Sequence, residues 1–524
     1  MAEETWHAAR LIPTSGISGV EEQERRATSA LLAVMGAVKE FGRIITSHAG
    51  ASAGNVDCFI EVPFDIGERK VYPDGLIRVR RGQRSWTALV EVKTGPNRLE
   101  REQLECYLDI AREQGFDAIL TISNELSPSP GVHPTSVDKR RLKKVALHHL
   151  SWTQVLTEAV MQKVYRGVAD PDQAWVLGEL IRYLEHPRSG AMEFEDMGGS
   201  WVPVREAISA GTLRPTDKGV AEVASRWDQL IRYAALRLGR QLGIEVQPAL
   251  SRKELAEPAL RAQAVADGLT SRAVLEGGLR IPHAVGPLIV TADLRAGRLS
   301  VHVDVDAPQD GRPLTRVNWL LRQLKDAPEL LRIDAFALHA RTSTSGLLRD
   351  VRANPAVLVD QSKRELKSFR VTAGGTLGTK RGQGRGSFVS SVIDLMDNFY
   401  GGVVQNIKPW SAPAPKLRHP EPTEATEPGV SAALVSTFIS SQDEPGTLAT
   451  DEAPVESESI GGHVATASEE VALADTPEPE AAESDDAVPV VSWDFAWPAE
   501  RSDEESEALQ TSEPDTLEPQ APRS

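Results

Sequence analysis

Sulfur, aromatic rings and long apolar runs are all scarce in this chain. Cys58 and Cys106 are its only cysteines, so a disulfide scaffold is excluded, and neither has the C-x-x-C spacing of a zinc or redox centre. Aromatic residues make up 5% of 524 positions. The longest nearly apolar stretch, Ala27 to Val38, contains Thr28, Ser29 and Gly36 and spans twelve residues, whereas a bilayer needs roughly 20. No transmembrane helix and no membrane partner are expected. The opening residues, MAEETWHAARLIP, have no basic stretch leading into an apolar one, which leaves a cytoplasmic location as the expectation. No Ser/His/Asp order suggests acyl-transfer chemistry.

Apolar residues at 40%, beside 40 glycines, are those of an ordinary globular chain. Charge divides it. From Ser411 onward 26 acidic residues face 4 basic ones, a net −22, while residues 1–410 carry 54 basic and 49 acidic residues, a net +5. The segment 411–524 also holds 14 of the 34 prolines, a composition that cannot bury enough apolar surface to offset chain entropy, so a disordered acidic tail is expected there. Within it Trp493, Phe495 and Trp497, in SWDFAWPAE, form an aromatic cluster suited to a protein partner.

In the basic part, Val20, Glu24, Ala27, Leu31, Val34 and Val38 recur at intervals of three and four, which predicts an amphipathic helix over 20–39. Strands are expected around 43–47, 57–64, 75–80 and 86–93, then a helix over 99–114, a buried strand over 118–122, the strand VALHHL and a helix opened by Ser151. A mixed sheet with one helical crossover follows. This first domain should close near 165. A helical connector over 166–199 leads to an α+β domain over 200–410, in which Leu288–Leu294 and Leu299–Val305 alternate strictly and read as a hairpin.

The most informative stretch is KVYPDGLIRVRRGQRSWTALVEVKTG. Side chains two apart on a strand share a face, so Glu91 and Lys93 project together, and Asp74 reaches the same spot from the neighbouring strand. Two carboxylates and a main-chain carbonyl, here that of Val92, are the hard oxygen ligands that Mg²⁺ or Mn²⁺ takes. Such a site suits phosphodiester hydrolysis, with Lys93 orienting or deprotonating the attacking water and neutralising the developing charge.

Pro73-Asp74 followed by Glu91-Val92-Lys93 resembles the PD-(D/E)XK nuclease superfamily, and Gln103-Leu-Glu-Cys-Tyr107 resembles the Gln-x-x-x-Tyr motif of its RecB-like branch. Residues 103 and 107 are one helical turn apart and face the same way. The resemblance covers roughly residues 10–165 and implies a restriction-endonuclease-like α/β fold with Asp74, Glu91, Lys93, Gln103 and Tyr107 as catalytic residues. It also implies a further ligand from the first helix, Glu24, with Glu21 the competitor. SGISGVEEQERRATSALL and GVADPDQAWVLGELIRYLEHP are similar to a group of actinobacterial proteins described as stress-response proteins.

Basic segments suited to DNA backbone phosphates are Lys139, Arg140 and Arg141, and the glycine-rich loop carrying Lys380, Arg381 and Arg385. Adjacent His148 and His149 on one strand face opposite ways and are not expected to share a metal. The expectation is a magnesium-dependent nuclease acting on DNA in repair, stress response or defence. The alternative is a catalytically inactive nucleic-acid-binding or scaffold protein whose acidic tail recruits partners.

Overall fold

A computed structural model of the protein describes residues 12, 19–66, 69–127, 129, 131–359, 364–382 and 384–412. In chain order the first lobe contains α1 (Val20–Ala37), α2 (Lys39–His48), β1 (Asn55–Ile60), β2 (Phe64–Ile66), β3 (Arg69–Val71), β4 (Gly75–Arg81), β5 (Arg84–Val92), α3 (Arg101–Gln114), β6 (Ala118–Ser123), β7 (Ala146–Ser151), α4 (Trp152–Val160) and α5 (Pro171–Leu184). Its five-stranded sheet has the order β1-β4-β5-β6-β7. The first two pairings are antiparallel and the last two parallel, so this is a mixed sheet in an α/β lobe. The step from β5 through α3 to β6 is the helical crossover that parallel pairing requires.

Alternation along the strands divides two apolar layers. Ile77, Val79, Val90, Val92, Leu120 and Ile122 pack with α1, α2, α4 and α5, whereas Leu76, Leu89 and Ile119 pack with Tyr107 and Leu108 of α3. α1 buries Ala27, Leu31, Leu32, Val34 and Met35. Gly75 makes close packing possible, because a Cβ there would lie 2.4 Å from Leu32 Cδ1. Leu31 is fully buried, and Leu31→Ala in such a site costs about 2–5 kcal/mol.

The strand expected over 43–47 is instead part of α2. Ile44-Ile45-Thr46 reads locally as a β-branched run, but Phe41, Gly42, Ile45 and Thr46 form the buried face, a helical and not an alternating spacing. Thr46 Oγ1 and Ser47 Oγ donate to the carbonyls of Gly42 and Ile44 within the helix, which satisfies side chains that would favour a strand. The strand expected over 57–64 stops at Ile60, where Glu61 turns with φ +52°, and resumes as β2 at Phe64, and the helix expected over 20–39 breaks at the extended Val38. Ser151 opens α4 by accepting from Gln154 N–H, and Asp170 caps α5.

The second lobe continues with α6 (Trp201–Ser209), α7 (Lys218–Leu242), β8 (Gln247–Pro248), α8 (Arg252–Ala256), α9 (Pro258–Arg272), β9 (Val274–Arg280), β10 (Leu288–Asp293), β11 (Arg298–Asp306), α10 (Pro313–Gln323), β12 (Arg332–Ala337), β13 (Thr344–Leu347), α11 (Leu348–Ala353), β14 (Leu366–Thr376) and α12 (Phe388–Gly402). Its seven strands, ordered β13-β12-β14-β11-β10-β9-β8, pair antiparallel throughout. The expected hairpin is β10–β11, closed at Asp293 opposite Arg298. α7 begins at Lys218, with Asp217 at its N-cap. The tail from residue 413 onward, with Trp493, Phe495 and Trp497, lies outside the described residues. Among the described residues no helix is long and apolar enough to cross a membrane.

Candidate active site

Asp74 ends the turn before β4, and Glu91-Val92 ends β5 beside it. Asp74 Oδ2 accepts from the Val92 N–H at 2.7 Å, so one carboxylate is tied to the backbone that presents the other. The carbonyl of a strand residue leaves the chain on the same side as its N–H, and Val92 therefore offers its oxygen to this space as well. Glu91 is 1% exposed. Lys93 Nζ stands 2.6 Å from Glu91 Oε1 and 3.1 Å from Glu24 Oε1 of α1. Glu24, not Glu21, is the residue of α1 that arrives. Asn97 Nδ2 donates to Glu24 Oε2 at 3.4 Å.

On the α3 side Gln103 Nε2 donates to Tyr107 Oη at 3.0 Å, and Glu91 and Asp74 act on the Tyr107 phenol electrostatically. Burial and then the Glu91 charge raise its pKa above the ordinary phenol range. All of Asp74, Glu91, Lys93, Glu24, Gln103 and Tyr107 thus meet at one end of the sheet. A cleft of about 410 Å³ lined by Arg25, Thr28, Ile60, Tyr72 and Asp74 opens beside them.

Electrostatically the cluster is short of positive charge. Burial and the neighbouring Asp74 push Glu91 up to about 8. Burial also raises Asp74, against the pull of the Val92 N–H and Lys93. Burial opposes the Lys93 charge, but Glu91 and Glu24 outweigh it and hold the ammonium above its usual range. Both Glu91 oxygens are buried, and one of them stands against the Lys93 ammonium. With Glu91 holding its proton near neutral pH, the other carboxylates around one ammonium still leave net negative charge in a mostly buried place, and a hard divalent cation would offset it and displace that proton. The oxygen donors fit such an ion. Among the described residues no three His, Cys, Asp or Glu side chains sit close enough to hold a metal as they stand.

Three supports of this site have no motif in the sequence. Trp152 Nε1 donates to the Lys93 carbonyl at 2.9 Å and fixes the backbone just past β5. Asn124, the first residue after β6, donates from Nδ2 to the carbonyls of Gly95 and Gly190 and accepts from Met192 N–H. The 187–192 segment is thereby strapped across the strand exit, with Gly95 N–H donating to the Gly190 carbonyl and Gln23 Nε2 to that of Arg188. Gly190 has φ +79°, and a Cβ there would lie 2.5 Å from Gln23, so only glycine fits. Asn124 follows the polar Ser123 at the end of β6, so nothing in the local sequence marks it.

The expected DNA contacts divide. Lys139 and Arg140 are exposed, but Arg141 turns inward to ion-pair with Asp109 and Glu105 of α3. Lys380 and Arg385 are exposed, while Arg381 pairs with Asp196 at 3.0 Å. His148 and His149 diverge as expected. His149 Nδ1 meets Thr121 Oγ1 at 2.8 Å and its Nε2 meets the Glu125 carbonyl at 2.7 Å. Asp304 on β11 is engaged by Arg370 at 2.7 and 3.0 Å. No family model, no curated protein and no solved structure matches this chain.

Proposed function

We propose that the protein is a metal-dependent nuclease hydrolysing DNA phosphodiester bonds, with a restriction-endonuclease-like first lobe. The observation carrying this reading is the convergence of Asp74, Glu91 and Lys93 at the open end of β4 and β5, with the Glu91 carboxyl buried against the Lys93 ammonium. Asp74, Glu91 and the Val92 carbonyl would hold Mg²⁺ or Mn²⁺, and Glu24 completes the surroundings. When bound, the ion supplies Lewis-acid polarisation of a phosphate oxygen and a lowered pKa for a coordinated water.

The chain's own groups do the remaining work. Lys93 releases Glu24 and Glu91, orients the attacking water and neutralises charge that develops on the phosphate. Tyr107 and Gln103, hydrogen-bonded to each other, hold the substrate or that water against Glu91. Lys139, Arg140, Lys380 and Arg385 offer exposed cations to backbone phosphates without reading bases.

A second reading, a non-catalytic DNA-binding or scaffold protein, is favoured by the same ammonium, which already satisfies Glu24 and Glu91 as an ion-pair cluster. Incubating the full chain with circular and linear, single- and double-stranded DNA in Mg²⁺, Mn²⁺ or chelator separates the two. Nuclease action requires cleavage that chelator stops and that Asp74→Ala and Lys93→Ala both lose. Intact DNA in every metal sinks it.

A further inference from the structure

The far end of β4 and β5 carries a second charged feature. The strands close through Gly82-Gln83, with Arg81 directly opposite Arg84. Gly82 has φ +60°, the positive value that a two-residue hairpin turn asks of its first central residue. Like charges directly opposite weaken a ladder, yet both arginines are exposed and neither has an ion-pair partner among the described residues. The nearest acid on the adjacent strand, Asp57, is already taken by Arg80 at 2.7 Å.

Beside the tip lies a cleft of about 590 Å³ lined by Arg81, Arg84, Ser52, Gln83, Ser85 and Trp86. Its polar lining offers guanidinium, hydroxyl and amide donors and no carboxylate. Arg43 of α2 extends the basic surface: it is exposed, and its Nε donates to the Gly54 carbonyl. Gly54 in turn packs against the Arg80 backbone, where a Cβ would lie 2.5 Å from the carbonyl oxygen. Paired arginines over hydroxyls and an indole edge suit a phosphodiester backbone.

We propose that the β4–β5 hairpin tip is a separate DNA-backbone site, built from Arg81 and Arg84 and outside the cleavage centre. Its spacing rests on the nuclease reading above. Arg84 and Glu91 are seven strand positions apart, about 23 Å, which is about seven nucleotides of one strand in a duplex. DNA held at the tip and cut at Asp74–Glu91 is gripped at two points on one sheet, so the substrate is a polynucleotide and not a dinucleotide or free nucleotide.

The test uses full-length protein in chelator and a fluorescent 30-base-pair duplex. Arg81→Gln/Arg84→Gln should weaken binding about tenfold at low salt and reduce the slope of log affinity against log salt by about 1.8. Lys325→Gln, which removes an exposed cation elsewhere, should do neither. Arg81→Lys/Arg84→Lys keeps the charges and should restore most of the affinity. Unchanged binding by the glutamine pair, an equal loss from Lys325→Gln, or no rescue by lysine overturns the proposal. So does equal binding of polyglutamate, which would make the tip a site for acidic polypeptide. With Mg²⁺, shortening the DNA below about seven base pairs on the hairpin side should abolish the difference in cleavage between wild type and the glutamine pair. A wild type that cuts nothing while the binding loss persists removes the nuclease reading and leaves the hairpin site standing.

Discussion

Asp74 Oδ2 and the Val92 N–H are joined by a 2.7 Å hydrogen bond, so the acidic turn is held by the backbone segment that carries Glu91. This bond separates the structural role of Asp74 from its chemical one. Asparagine keeps an oxygen that accepts from Val92 but removes the charge, whereas alanine leaves a buried N–H without an acceptor. Asp74→Ala should lose about 1–3 kcal/mol of stability and Asp74→Asn less than about 1 kcal/mol. Both should abolish cleavage. Urea unfolding read beside plasmid nicking checks the split, and an active Asp74→Asn protein removes Asp74 from the metal ligands.

The excess negative charge around Lys93 predicts stabilisation by divalent ions. An ion that binds only the folded state, at a hundredfold excess over its Kd, adds about 2.7 kcal/mol. Thermal unfolding of the full chain should therefore move up with Mn²⁺ and return with chelator. Glu91→Gln should flatten this response while the protein still folds, since the amide occupies the carboxylate's volume. A wild type whose Tm ignores Mn²⁺ has no site of useful affinity there.

Tyr107 and Gln103 are expected to position and not to react. Tyr107→Phe removes the phenol beside Glu91 and keeps the ring that packs with Leu108 and Ile119. Activity should fall about 10- to 100-fold, as for a group that orients a metal ligand. Gln103→Ala should match it, and the double variant should be little worse than either single one, because the two share one hydrogen bond. Losses that multiply would show that the two side chains act independently.

Much of this site was legible because its residues are neighbours in a local pattern. Strand spacing placed Glu91 with Lys93, and helical spacing placed Gln103 with Tyr107 and pointed Glu24 inward. What was not legible comes from elsewhere in the chain. Asn124, Trp152 and Gly190 reach the strand exit only because β5, β6 and α4 are brought together, and no local period encodes that. α2 misled for the opposite reason: Ile44-Ile45-Thr46 carries a strong local strand preference that packing against the sheet overrides. Charge counts were equally blind to direction. Arg141 and Arg381 look like free cations in sequence, yet Asp109 and Asp196 lie across from them once the lobes fold.

Acid should unfold the first lobe through its histidines. His149 is partly buried, and loss of solvent lowers its pKa to about 3, while burial also lowers His133 and His148. A histidine depressed in the folded state takes up its proton more readily when unfolded. Its contribution is therefore complete above the unfolded value of about 6.5 and is lost as pH falls from there towards the folded value. Stability should drop by on the order of a few kcal/mol between pH 6.5 and 4. His149→Gln keeps an amide near Thr121 Oγ1 and the Glu125 carbonyl without a titrating proton. It should flatten the acid limb of a stability–pH curve measured by urea unfolding, and a limb as steep as wild type would place the acid sensitivity elsewhere.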